Sequence, residues 1–213
     1  IVLYLIWQKR GEVLALKPVF TPSVFVLLLL VMPIWMLAYA GNIDVIGHIA
    51  TLTMISLIAI SALGWKIALN LWFPLIFIYF AVPIGEELIP FFQRITADFS
   101  VKLLLWSGVP VFNEGLFIHI PEGKFLVAEA CSGVRFFVST VMLGILYSYL
   151  LFYSWNKRVA FIVFSIILPI AANVIRVYGT IMVGHLVSME KAAGADHLIY
   201  GWFFFALVII LLI

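Results

Sequence analysis

Apolar stretches of about 20 residues, the length that crosses a bilayer as a helix, recur along this chain with only short polar segments between them. Runs of that kind dictate helix. In hydrocarbon every backbone N–H and C=O must find its partner within its own segment, and only a helix or a closed barrel manages that. Of the 213 residues, 66% are hydrophobic and 10% are charged, too little polar surface to wet the outside of a soluble domain. The formal net charge of +2 and the lack of any Lys/Arg-rich run exclude nucleic acid as a partner. The expected class is therefore all-α: one polytopic transmembrane helix bundle over residues 1–213, with membrane lipid as its solvent.

A partial span is read at 1–7, with further spans near 20–40, 45–63, 67–84, 131–153, 159–183 and 198–213. That makes about seven here. Eight or so are expected in a longer parent, because the sequence opens at Ile1 in an apolar run and stops in another at Ile213. Pro33, Pro74 and Pro169 fall inside spans, where neighbouring helices can satisfy the freed carbonyls.

Orientation follows from basic residues in short loops. Alternate loops hold Lys9, Arg10, Lys17, Lys66, Lys157 and Arg158, opposed only by Glu12. The intervening segments carry Asp44, Glu86, Glu87, Asp98, Glu114, Glu122, Glu129, Glu190 and Asp196 against Arg94, Lys102, Lys124 and Lys191. The basic loops are expected to be cytoplasmic and the long segment 85–130 to face outward.

Within that segment, Leu88, Phe91, Phe92, Ile95, Phe99, Leu103 and Trp106 recur at helical spacing, with Gln93, Arg94, Ala97, Asp98 and Lys102 opposite. Two readings stand open: an amphipathic helix lying on the outer membrane surface, or an ordinary helix packed on the bundle. Two short apolar runs around Pro121-Glu122-Gly123 then predict a β-hairpin leading directly to Cys131.

Cys131 is the only cysteine, so no intrachain disulfide forms, and zinc-type Cys/His spacing is absent. A lone thiol is either a small buried hydrophobe or a reactive group. Topology places Cys131 at the outer end of one span, Arg176 about seven residues (roughly 10 Å) below the outer end of the next, and His197 where the last span begins. An arginine at such depth costs a few kcal/mol unless it is paired or faces a wet cavity, although a snorkelling or structurally paired arginine is the plainer alternative. Arg135, four residues after Cys131, shares its helix face. It either favours the thiolate or pairs with Glu129 or Asp196. Among the histidines, His185 and His197 share an outer loop, while His48 and His119 lie elsewhere. Asp196-His197 precedes the aromatic stretch Tyr200-Gly201-Trp202-Phe203, which favours His197.

At these residues the sequence resembles a known family. Ala128-Glu129-Ala130-Cys131-Ser132-Gly133-Val134-Arg135 resembles the E-A-C-S-G-hydrophobic-R signature of the exosortases. Ala172-Asn173-Val174-Ile175-Arg176-Val177 is similar to their A-N-x-x-R-V segment, and Gly194-Ala195-Asp196-His197-Leu198-Ile199-Tyr200-Gly201-Trp202 to their third block. The resemblance is specific over about residues 83–202. One departure is Phe136-Phe137, where smaller or polar residues are more usual.

The resemblance implies a membrane-embedded cysteine protease or transpeptidase in a bacterial inner membrane, its active site on the periplasmic side, serving a protein-sorting system associated with exopolysaccharide. Its implied substrates are exported proteins bearing a Pro-Glu-Pro-type motif, a transmembrane helix and a basic tail. It implies Cys131, Arg176 and His197 as the catalytic set, with Arg135, Glu129, Asn173 and Asp196 in support. No metal or organic cofactor is required. A transporter built around Arg176 would predict inverted repeats and discontinuous midplane helices, and no internal repeat is found. A structural subunit of an export assembly predicts that Cys131→Ala is silent. A serine protease is disfavoured because Ser132 and Ser139 lack a G-x-S-x-G context.

Overall fold

The computed structural model describes the backbone of residues 1–189 and 197–212, and the side chains of 1–189 and 204–212. These fall into two compact units, Ile1–Ile84 and Gly85–Ile213.

In the first unit, α1 (Val2–Gln8) and α2 (Arg10–Leu14) precede the long pair α3 (Val24–Ala40) and α4 (Asp44–Leu63), which pack against one another. Gly64 ends α4 with φ +87, and a Cβ there would lie 2.6 Å from the Val19 carbonyl oxygen. Only glycine lets the chain fold back so closely. The apolar run at 67–84 is not one continuous helix. It is divided into α5 (Trp65–Asn70), α6 (Trp72–Phe77) and a 3₁₀ turn, Ile78–Ala81. Pro74 sits in the first turn of α6, the one helical position where its missing N–H costs nothing.

In the second unit, α7 (Ile89–Trp106) leads to a three-stranded antiparallel sheet of β1 (Phe112–Glu114), β2 (Phe117–Ile120) and β3 (Gly123–Leu126), in that spatial order. The expected hairpin is β2–β3, pairing Ile120 with Gly123 and Phe117 with Leu126. A 3₁₀ turn, Glu129–Cys131, then feeds α8 (Val134–Leu151), α9 (Trp155–Leu186) and α10 (His197–Leu212).

Three helical segments are long and apolar enough to cross a bilayer: Asp44–Leu63, Glu129–Leu151 and Trp155–Leu186. A fourth is counted if Trp72–Ala81 and Glu86–Trp106 are taken together as one broken span. The expected seven is thus not reached by this measure among the described residues. The 17 residues of α3 and the 16 of α10 fall just short of a full crossing. By contrast α9, with 32 residues, is about 48 Å long and outruns the hydrocarbon layer of about 30 Å.

Packing in this unit follows membrane rules, in which small and polar residues face the neighbouring helix. A Cβ on Gly144 of α8 would collide with the Ser165 side chain of α9, so the two backbones meet closely there. Likewise α7 buries Gln93, Thr96, Ala97 and Ser100 between Phe92 and Leu104, and turns Phe91, Phe99 and Trp106 outward, the last 83% exposed. It packs on α9, so the second of the two readings of this helix describes it. Its small and polar residues lie on the inner face, with Phe92 and Leu104.

Candidate functional site

The site begins with the sheet. Ile118, Ile120 and Val127 form a buried cluster with Ala97 and Leu104 of α7, Val109, and Val177 and Ile181 of α9, and Cys131 packs against its margin. Burying those branched side chains fixes the hairpin between two helices, and Gln93 Nε2 donates to the Val127 carbonyl at 2.8 Å. From there the chain has little freedom before the cysteine. Cys131 N–H donates to the Ala128 carbonyl at 2.8 Å and Ser132 N–H to that of Glu129 at 3.0 Å. Gly133 then adopts φ +78 and α8 starts.

A Cβ on Gly133 would stand 2.5 Å from Cγ of Asn173, so this glycine answers both to the left-handed backbone and to the side chain pressed against it. Asn173, on α9 and nearly buried, places Nδ2 2.9 Å from the Cys131 carbonyl oxygen, 3.1 Å from that of Ser132 and 3.0 Å from Thr96 Oγ1. Its Oδ1 accepts from Arg176 Nη2 at 2.8 Å. Two carbonyls on one side and a guanidinium on the other admit only this orientation of the amide. One side chain therefore ties together α7, the cysteine turn and the arginine.

Arg176 is joined to the cysteine turn through the Asn173 amide, which binds the guanidinium with its oxygen and the Cys131 carbonyl with its nitrogen. Its Nε is buried and has no partner among the described residues. The guanidinium carbon stands 6.0 Å from the centroid of Phe136, within cation–π range, and Phe136 in turn stacks on Phe205 of α10. These side chains, with Pro169, Ala172, Phe204 and Val208, enclose a cavity of about 20 Å³, room for about one water. The unusual Phe136-Phe137 pair is thus built into the packing, Phe137 meeting Phe92 of α7 at 4.7 Å.

The remaining sequence candidates divide. Arg135 and Glu129 are both exposed and form no ion pair with each other. His197 opens α10, but its side chain, like Asp196 altogether, lies outside the described residues. His185 is twelve residues beyond Asn173 on the same helix, about 18 Å along the axis, and is engaged elsewhere. Its Nδ1 stands 2.8 Å from Glu122 Oε2 in a short but bent contact. Hydrogen bonding to His185 holds the Glu122 carboxyl below its ordinary range, outweighing the opposing effect of burial. His119, on β2, stands 3.5 Å from Glu114, and His48 is exposed in the first unit.

Reasoning from sequence assigned no role to Thr96, to Gly133 within the cysteine segment, or to a Glu122–His185 pair. What the arrangement offers chemically is a lone thiol on a hydrogen-bonded turn, a cation tied to that turn through one amide, and a buried guanidinium N–H with no partner among the described residues. Among the described residues no group of three or more His, Cys, Asp or Glu is placed to hold a metal ion.

No curated protein and no solved structure matches the chain. The family model described as transmembrane exosortase matches residues 1–213, and the chain therefore belongs to the transmembrane exosortase family.

Proposed function

We propose that this protein is a membrane-embedded cysteine transpeptidase that removes the C-terminal sorting tail of exported proteins through a thioester. The observation that carries the reading is the Asn173 bridge, which joins the backbone of Cys131 to the guanidinium of Arg176. In this reading Cys131 attacks the scissile carbonyl carbon as thiolate and its proton passes to His197. The tetrahedral intermediate places its oxyanion on Arg176, whose buried Nε has no partner among the described residues and needs no reorganisation. Collapse breaks the C–N bond, His197 returns the proton to the leaving amine, and the acyl group stays on sulfur. A second nucleophile, an amine or water, then releases it. No cofactor enters any step.

The substrate is an exported protein ending in a Pro-Glu-Pro-type motif, a single transmembrane helix and a basic tail. Its helix lies beside the bundle, its basic end stays cytoplasmic, and its motif emerges at the periplasmic face of the inner membrane, the side to which the asymmetry of basic loops assigns Cys131. Arg135 and Glu129, exposed beside the nucleophile, are positioned to meet that motif.

Co-expression with such a substrate tests the reading by gel shift. Tail loss is expected with the wild-type chain. Cys131→Ala, Arg176→Ala and His197→Ala should each abolish it while leaving membrane insertion intact. Unchanged tail loss in Cys131→Ala overturns the proposal.

A further inference from the structure

β3 is an edge strand: the sheet order among the described residues is β1-β2-β3. The phase of its ladder is set by Val127 N–H, which donates to the Leu116 carbonyl at 2.9 Å. Counting back in steps of two, Phe125 and Gly123 direct their backbone groups at Ile118 and Ile120 of β2. Lys124 and Leu126 then direct theirs outward. The Leu126 carbonyl is taken by Ala128 N–H at 2.9 Å. Among the described residues the Leu126 N–H and both groups of Lys124 have no partner. Side chains alternate accordingly. Phe125 and Gly123 face Gly184 in the last turn of α9 and Met189 just beyond it, whereas Lys124 and Leu126 are exposed, Leu126 by 52%.

Charge singles out the same edge. Glu114 and Glu122 each lie beside a histidine, at 3.5 and 2.8 Å, while Lys124, lying 3.8 Å from the Phe117 ring centroid, has no acidic partner among the described residues. The strand also runs straight into the nucleophile, with Cys131 five residues beyond Leu126 on a hydrogen-bonded turn.

We propose that the free edge of β3 receives an extended segment of the substrate as a fourth strand, with a carboxylate side chain opposite Lys124. This rests on the transpeptidase reading above and specifies how that site takes hold of a peptide. Main-chain pairing supplies affinity without demanding a particular sequence, and side chains on alternate positions supply selectivity. A segment registered on Lys124 is carried by its own extension towards Cys131. An edge strand left open usually invites unwanted pairing and is blunted by a short length or a lysine. Here both features also suit a transient, acidic guest.

The test places a photo-crosslinking residue at Leu126 or, on the opposite edge of the sheet, at Phe112, which is 67% exposed. Each is made in the full chain carrying Cys131→Ala and co-expressed with the tailed substrate. The Leu126 position should capture substrate at alternate residues of its extended segment, and the Phe112 position should give background only. Lys124→Glu should weaken processing about two- to fivefold, the worth of an exposed ion pair, with recovery when the substrate carboxylate is reversed to lysine. Equal capture from both edges, or capture from neither while the unaltered enzyme still removes the tail, overturns the strand proposal and leaves the transpeptidase reading standing. No tail loss by the unaltered enzyme overturns both.

Discussion

Arg176 donates Nη2 to Asn173 Oδ1 across 2.8 Å, and the same amide holds the Cys131 carbonyl at 2.9 Å through its nitrogen. The two residues are three apart on α9, adjacent on one face. A rigid helix thus sets the cation at a fixed offset from the cysteine turn, and the amide carries that offset across to the other chain segment. Preorganisation of this kind lets a positive group act on developing charge without first moving.

Replacing Asn173 separates its two jobs. Asn173→Ala leaves two backbone carbonyls and a guanidinium short of partners, at a cost of about 1–3 kcal/mol for a buried group left unpaired. Asn173→Asp keeps an acceptor for Arg176 but loses every donor to the cysteine turn. Processing should collapse in both variants. Thermal unfolding in detergent should show Asn173→Ala destabilised, and adding Arg176→Ala to it should cost less than the sum of the two single changes, since the residues share one network.

Gly133 should tolerate no side chain. Gly133→Ala combines a left-handed backbone worth about 1–2 kcal/mol of strain with a Cβ driven to 2.5 Å from Asn173. Gly179, on the same helix as Asn173, has nothing within 4 Å of its Cβ position. Gly179→Ala should therefore be neutral, or stabilising by up to about 1 kcal/mol through helix propensity. Unfolding midpoints and tail removal for the two variants, measured side by side, check the contrast.

The Glu122–His185 contact predicts an acid-sensitive hold on the hairpin. Glu122 has a folded value below its ordinary 4.5, so its contribution is complete above the unfolded value and is lost as pH falls through the lower, folded one. The stability difference between wild type and Glu122→Gln should shrink as pH falls below about 4.5. Unfolding midpoints of both proteins across that range give the measurement.

Close contact between α8 and α9 depends on Gly144 lying against Ser165. Gly144→Leu should force the helices apart and abolish both folding and processing. Ser165→Ala, which loses only a bond to the Ile162 carbonyl at 2.8 Å within its own helix, should cost about 1 kcal/mol or less. Protease resistance in native membranes distinguishes them.

Much of the fold was legible because apolar runs and turn chemistry are local signals. The helices Asp44–Leu63 and Val134–Leu151 lie where hydropathy puts them, and Pro121-Glu122-Gly123 marked the hairpin. The run at 67–84 misled because unbroken hydropathy says nothing of the division at Leu71. In α7 the apolar stripe was identified, but which face turns inward depends on the solvent. In a bundle of this kind Gln93 and Thr96 face the neighbour while Phe99 faces out. β1, three residues long, is too short to announce itself. For the site, the residue types of Cys131 and Arg176 drew attention to themselves. The part played by Asn173 did not, since its partners Thr96, Cys131 and Ser132 lie 77, 42 and 41 residues away in sequence.

The thiol chemistry is most directly tested by intact mass measurement of the enzyme isolated during co-expression with a tailed substrate. The account predicts an adduct equal to the substrate less its tail, absent in Cys131→Ala and released by hydroxylamine as a thioester must be. Tail removal that persists in Cys131→Ala, with no adduct on the wild-type chain at any time, would contradict it.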